Sequence, residues 1–215
     1  MIICRDITKI YSHGASQKHV LKGVNLTIHQ GDRVGLLGRN GAGKSTLIKI
    51  IGGVEFPTSG NVERTMTVSW PLGFFGGFHG SLTGYDNARF VARIYNRDFA
   101  VMKDFIKEFT ELGRQLSMPV KTYSSGMRAR LAFALSLAVE FDCYLIDEVL
   151  LVGDANFQQK CNDEMFGKRH DRSMIVASHS TAAILEKCNK AVLLDGGFAT
   201  VYDDVEEAVA HYARL

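Results

Sequence analysis

The chain has 215 residues, 46% hydrophobic and 22% charged, with a formal net charge of +2. That length suits one domain, or one domain with a sub-lobe, and the near-neutral balance excludes the global field expected when nucleic acid is the main partner. The four cysteines, Cys4, Cys143, Cys161 and Cys188, form no C-x-x-C pair, so neither a zinc site nor a redox motif is indicated. Scattered thiols fit a reducing compartment. The start, from Met1 to Asp6, lacks the apolar core of a secretory signal. The longest apolar stretch, Leu131 to Val152, is interrupted by Glu140, Asp142, Asp147 and Glu148 and does not read as a membrane span. A soluble, cytoplasmic protein is expected, with any membrane association made through a partner.

In chain order, the pattern predicts strands at Ile2–Ile10 and at Val24–Ile28, where apolar and polar residues alternate. Turn chemistry at Gln30-Gly31-Asp32 leads into a short buried strand, Val34-Gly35-Leu36-Leu37, followed by a glycine-rich loop and a helix over 47–51. Pro57–Asn61 reads as a turn, with a strand around Thr65–Trp70. Apolar residues at helical spacing (Phe90, Ile94, Phe105, Phe109, Leu112) predict a helical region from about Tyr85 to Leu116, and a second helix runs from Gly126 to Val139. Strand and helix then alternate: Cys143–Ile146, Asn156–Phe166, Ser173–Ala177, Thr181–Lys190, Ala191–Leu194 and Val205–Tyr212. The expected fold is α/β: a mostly parallel, P-loop-type sheet core with an N-terminal antiparallel β section and an inserted α-helical sub-lobe. The division expected is a single domain over 1–215, with 1–84 and 141–215 as core and 85–140 as sub-lobe.

The chemistry concentrates in Gly38-Arg39-Asn40-Gly41-Ala42-Gly43-Lys44-Ser45-Thr46, which meets G-x-x-x-x-G-K-[ST] between a strand and a helix. Glycines let successive backbone N–H groups turn inward toward phosphate oxygens, and the helix N-terminus adds partial positive charge. In such a loop Lys44 reaches the β- and γ-phosphates and the Ser45 hydroxyl ligates Mg²⁺. The apolar run Cys143–Ile146 ends in Asp147 and Glu148, placing two carboxylates at a strand's C-terminal end, where open α/β sheets bind ligands. Asp147 is the candidate for Mg²⁺ and Glu148 for accepting a proton from attacking water. Ser124 or Ser125, with Gly126, opens a helix: an ordinary N-cap, or an anion site facing the nucleotide of another subunit. His179 ends a strand one crossover later and is a candidate phosphate contact. Asp154 lies in the loop after Glu148. Tyr11 is a candidate for stacking on adenine, with His13 and His19 as nearby competitors.

Taken in order, these pieces resemble the nucleotide-binding subunit of ABC transporters over almost the whole chain. Tyr11 corresponds to the aromatic residue, Gly38–Thr46 to Walker A, and Ser124-Ser125-Gly126 to the signature. Cys143–Asp147 corresponds to Walker B, Glu148 to the catalytic base, Asp154 to the D-loop and His179 to the switch histidine. The resemblance implies the ABC ATPase fold, ATP and Mg²⁺ as cofactors, and a head-to-tail dimer in which each ATP lies between one copy's Walker A and the other's Ser124–Gly126. It also implies integral-membrane permease subunits as partners and a position at the cytoplasmic face of the inner membrane, without nucleic acid. Within the family the chain looks like the capsular polysaccharide export ATPases of Gram-negative bacteria. The Ser69–Gly84 segment, the Tyr123–Met127 signature variant and the absence of an appended carbohydrate-recognition domain carry that likeness, and further capsule-export proteins are implied as partners.

Two departures stand out. No glutamine occurs between Gln30 and Gln115, so the usual Q-loop residue is missing, and Phe74, Phe75 and Phe78 near its place are candidates for a permease-docking groove or for sub-lobe packing. Ser125 and Met127 replace the usual glycine and glutamine of the signature. Other cargoes (O-antigen, teichoic acid, a small molecule) stay open, since cargo is contacted mainly by the membrane subunit. A soluble ABC ATPase acting on DNA or ribosomes is the remaining alternative, without the coiled-coil insertion or tandem cassette usual there.

Overall fold

The computed structural model of the protein describes residues 1–14, 16–73, 78–147 and 154–215. Its contacts divide the chain into two units: Met1–Pro71 with Asp142–Glu148 and Lys168–Leu215, and Leu72–Phe141 with Val149–Gly167. The second unit is therefore larger than the expected 85–140. It takes in the segment just before 85, and also the region of the helix Ala155–Asn162, which the sequence had placed in the core.

The first unit is built on two sheets. β1 (Ile2–His13) pairs antiparallel with β2 (Ser16–Ile28) along its full length, from Ile2 opposite Ile28 to His13 opposite Ser16. The second strand is thus thirteen residues long rather than the expected five. Only Val24, Leu26 and Ile28 alternate cleanly with exposed neighbours, while Ser16–His19 are exposed and gave no periodic signal. β4 (Ser59–Arg64) completes this sheet on the other side of β1. It occupies part of the stretch read as a turn, because five of its six residues are exposed and its order comes from pairing with β1.

The six-stranded sheet runs β5 (Val68–Pro71), β6 (Cys143–Asp147), β7 (Ser173–Ala177), β3 (Arg33–Leu37), β8 (Lys190–Asp195), β9 (Phe198–Tyr202). All neighbours pair parallel except β8 and β9, which form an antiparallel hairpin. β3, β6 and β7 are buried almost end to end, as expected for central parallel strands covered on both faces. β9, an edge strand with no buried residue, was not expected from the sequence. α1 (Lys44–Ile51) follows β3 and buries Leu47, Ile48, Ile50 and Ile51 in a core shared with both sheets. Helices α6 (Thr181–Lys187) and α7 (Val205–Tyr212) complete the first unit, each capped by a side chain, Ser180 and Asp204.

In the second unit the expected 85–116 helix is two helices, α2 (Gly84–Ile94) and α3 (Phe99–Thr110), then a tight 3₁₀ turn at Gly113–Ser117. Asn96 takes a left-handed φ of 51° and Asp98 caps α3 by accepting from Ala100 N at 2.7 Å, so Asn96-Arg97-Asp98 is a stop and a restart. α4 (Ser125–Ala138) buries every residue from Leu131 to Leu137, and the buried Ser136 hydroxyl donates to Ala132 O at 3.0 Å. α5 (Ala155–Asn162) contributes Phe157 to an aromatic core with Phe109 and Phe133, at centroid separations of 5.3, 6.1 and 6.5 Å. Phe74 and Phe75 lie outside the described residues. Among the described residues no helix is long and apolar enough to cross a membrane. All four cysteines are free thiols, and burial pushes Cys4 up to about 11 and the other three up to about 12, which keeps them protonated at neutral pH.

Candidate nucleotide site

Sheet register gathers the motif residues of the first unit at one edge. β3 and β6 both pair with β7, and Leu36 and Asp147 are both register partners of Ala177. The chain leaving β3 at Gly38, the Asp147 carboxylate ending β6 and the Ser178-His179 segment leaving β7 therefore emerge side by side at the strands' C-terminal ends.

Two glycines make the loop between β3 and α1 possible. Gly38 sits at φ 152° with space for a Cβ closed by Leu194 O at 2.5 Å. Gly43, at φ 106°, would bring a Cβ to 2.9 Å from Leu21 Cδ2 and 3.1 Å from Val20 Cγ1 and Val20 O. Any side chain at either point would be strained and would collide with backbone or core. Gly43 is the N-cap of α1 and offers no side chain to cap it, so the helix's first amides remain available to an anion. The buried Lys44 ammonium donates to Gly38 O at 2.7 Å and to Arg39 O at 3.4 Å, which holds the loop closed upon itself. Arg39 extends the other way, Nη1 donating to Leu215 O at 3.4 Å. Ser45 Oγ donates to Asp147 Oδ1 at 3.1 Å, bringing two hard oxygen donors together at the mouth of the loop.

A cleft of about 340 Å³ opens over this loop, lined by Tyr11, Lys18, Val20, Asn40–Thr46 and His179. Its size suits a small organic ligand. Tyr11, the loop and exposed His179, far apart in sequence, thus share one cavity. Lys18 and Val20 were not singled out from sequence. They lie two apart on one face of β2, Lys18 is the register partner of Tyr11, and the signal for them was the hairpin, whose second strand the alternation pattern located only from Val24.

In the second unit, Ser124 is the N-cap of α4, accepting from Met127 N at 3.2 Å, and Ser125 and Gly126 form the helix's first turn. Ser124 and Ser125 are exposed. Asp154 caps α5 by accepting from Phe157 N at 2.9 Å, a bond that, against slight burial and with help from Arg130, holds its carboxyl below the usual range. Arg130 of α4 donates to Asp154 Oδ2 at 2.5 Å and lies over the Phe157 ring at 4.7 Å. This arginine ties α4 to the N-cap of α5 and was not picked out from sequence, where it is one cation among 25. Glu148 lies outside the described residues.

A glycine loop between strand and helix, with a strand-end aspartate beside its serine and a histidine just past the neighbouring strand, is the arrangement of a phosphate-binding P-loop site. Residues 21–150 match the family described as ABC transporter, and the chain belongs to that family: it is an ABC ATPase domain with a nucleotide-binding site. The ATP-binding protein BexA of Haemophilus influenzae is 54% identical over 212 residues, covering 99% of this chain and 98% of that protein. The capsule polysaccharide export ATP-binding protein CtrD of Neisseria meningitidis serogroup B is 53% identical over 215 residues, the full length of both. Among solved structures, the dimeric post-hydrolysis state of the ATP-binding cassette MJ0796 bound to ADP and Pi aligns with a TM-score of 0.76 at 21% identity, covering 94% of this chain and 98% of that one, a likeness of fold.

Proposed function

We propose that this chain is the ATP-binding and hydrolysing subunit of an ABC exporter that moves capsular polysaccharide across the inner membrane. The observation that carries the reading is full-length identity above one half to a capsule export ATP-binding protein, in a chain whose cleft joins the phosphate loop, Tyr11 and His179. In this reading the amides of Gly38–Thr46 and the Lys44 ammonium hold the β- and γ-phosphates, and Tyr11 stacks on the adenine. The Ser45 and Asp147 oxygens, 3.1 Å apart, have the donor chemistry Mg²⁺ requires and would hold it. When bound, the ion supplies neutralisation of the phosphate charge. Glu148 accepts the proton of the attacking water and His179 contacts the γ-phosphate side of the site. Ser124, Ser125 and Gly126 of a second copy close over the nucleotide, exposed hydroxyls at a helix start being suited to an anion. Asp154, tied to Arg130, links that signature helix to the loop after Glu148.

ATP bound between two copies closes the dimer and hydrolysis releases it, passing motion to permease subunits at the cytoplasmic membrane face. Further capsule-export proteins complete the machine. A gene deletion complemented by wild-type protein should restore capsule at the cell surface, whereas complementation by Lys44→Ala should leave polymer inside the cell. Surface capsule unaffected by the deletion would refute the cargo assignment, and accumulation of another envelope glycan would name the true cargo.

A further inference from the structure

Tyr11 is 40% exposed, so packing alone does not fix its ring. Side chains from β1 and from the segment after α1 hold it. The Tyr11 hydroxyl donates to Glu55 Oε1 at 2.7 Å, Lys9 Nζ lies 2.9 Å from the same oxygen, and the Lys9 ammonium sits 5.1 Å from the centre of the Tyr11 ring. Lys9 also donates to Phe56 O at 2.7 Å. The segment itself is fastened to β1: Thr58 N donates to Thr8 O at 2.8 Å, and Ile10 N to Thr58 Oγ1 at 3.0 Å. At its other end Val54 N donates to Lys49 O at 2.9 Å, closing the last turn of α1. Only three residues, Gly52, Gly53 and Val54, separate the end of α1, the helix that begins in the phosphate loop, from Glu55.

The Lys9 and Glu55 side chains are only 14% and 23% exposed, unlike a solvated surface ion pair. Burial alone would raise the Glu55 carboxyl. The bonds from Tyr11 and Lys9, with the charges of Lys9 and Lys49, hold it below its usual range, so it is ionised at neutral pH. Burial and the Glu55 bond raise the Tyr11 hydroxyl, with Thr46 and Lys9 opposing, which keeps it a donor.

We propose that Glu55 and Lys9 are positioning residues for the nucleotide base: they hold the Tyr11 ring in place before ATP arrives, registering the base platform against the phosphate loop through α1. The proposal rests on Tyr11 being that platform. A tyrosine free to rotate must be ordered when the base stacks on it, and a ring already tethered does not carry that entropic cost. Neither Glu55 nor Lys9 need touch the nucleotide.

The test uses the full chain and titration calorimetry with two probes, ATP and inorganic tripolyphosphate, which carries the phosphates without the base. Glu55→Ala, and Tyr11→Phe, which removes only the hydroxyl, should each weaken ATP binding about three- to tenfold. Both should leave tripolyphosphate binding unchanged. Glu55→Gln, which keeps an acceptor for the tyrosine, should recover most of the loss. In a Tyr11→Ala background, Glu55→Ala should add nothing. Unchanged ATP affinity in Glu55→Ala and Tyr11→Phe, with Tyr11→Ala weakened, would overturn the positioning role and leave the platform standing. Equal loss of both probes would mean a structural effect on the phosphate loop and would also overturn it. Full ATP affinity in Tyr11→Ala would remove the platform itself.

Discussion

The two ends of the cleft are made from different materials. At the phosphate end, the contiguous residues Asn40–Thr46 line the cavity, and Gly38 and Gly43, with positive φ and closed in by Leu194, Leu21 and Val20, hold the loop's backbone where a side chain would not fit. At the Tyr11 end, a partly exposed ring is held by side chains from two separate segments, Lys9 on β1 and Glu55 after α1. A backbone cradle cannot be altered without strain, whereas a side-chain tether can be cut with the fold intact. Mutations at the first end should therefore be costly in both stability and chemistry, and mutations at the second should be mild and confined to the base.

The largest effect tests the phosphate end through its chemistry. Glu148→Gln should lower steady-state ATP hydrolysis about a hundredfold or more while ATP stays bound. Size-exclusion chromatography with ATP and Mg²⁺ should then show a dimer, and rapid hydrolysis by this variant would displace Glu148 as the base. Lys44→Ala should cost about a hundredfold in hydrolysis, and unlike Glu148→Gln it should weaken binding of both ATP and tripolyphosphate. If it weakened ATP alone, the contrast between the two ends would collapse. Gly43→Ala should lower stability by about 1–3 kcal/mol, read as a fall in thermal midpoint without ligand, because φ 106° and the 2.9 Å approach to Leu21 must both be relieved.

The smallest effect lies away from the cleft and serves as a control. Asp142 accepts from the Thr67 hydroxyl at 2.7 Å and the Thr67 amide at 2.9 Å. Those bonds, against some burial and with help from Arg172 and the N-terminal amine, hold its carboxyl below the usual range. A folded value below the unfolded one means that the stabilisation is complete above about pH 4 and is lost as pH falls through the folded value. Asp142→Ala should thus cost about 1 kcal/mol at pH 7, with the two proteins' midpoints converging in acid, and nucleotide affinity unchanged.

The sequence was most informative where function is built from neighbours. The Gly38–Thr46 loop, the Asp147 strand end and the Ser124 helix cap are short contiguous patterns whose chemistry follows from local backbone geometry, and each sits on the element expected of it. It was least informative at the edges. β4 and β9 bury none of their residues, so no periodicity marks them, and they are strands because β1 and β8 offer unpaired backbone. The first half of β2 is the same case, and with it Lys18 was lost from view.

By itself, then, the sequence determined the α/β class, the phosphate loop, the candidate metal oxygens and the family, because glycine placement, buried apolar runs and helix caps act over a few residues. The tertiary structure decided which distant residues share the cleft, Lys18 through hairpin register and His179 through the order of β6, β7 and β3, and it set Glu55 against the Tyr11 hydroxyl behind that cleft by pinning its segment to β1. Those placements depend on pairing and packing between segments far apart in the chain, and no local pattern encodes them.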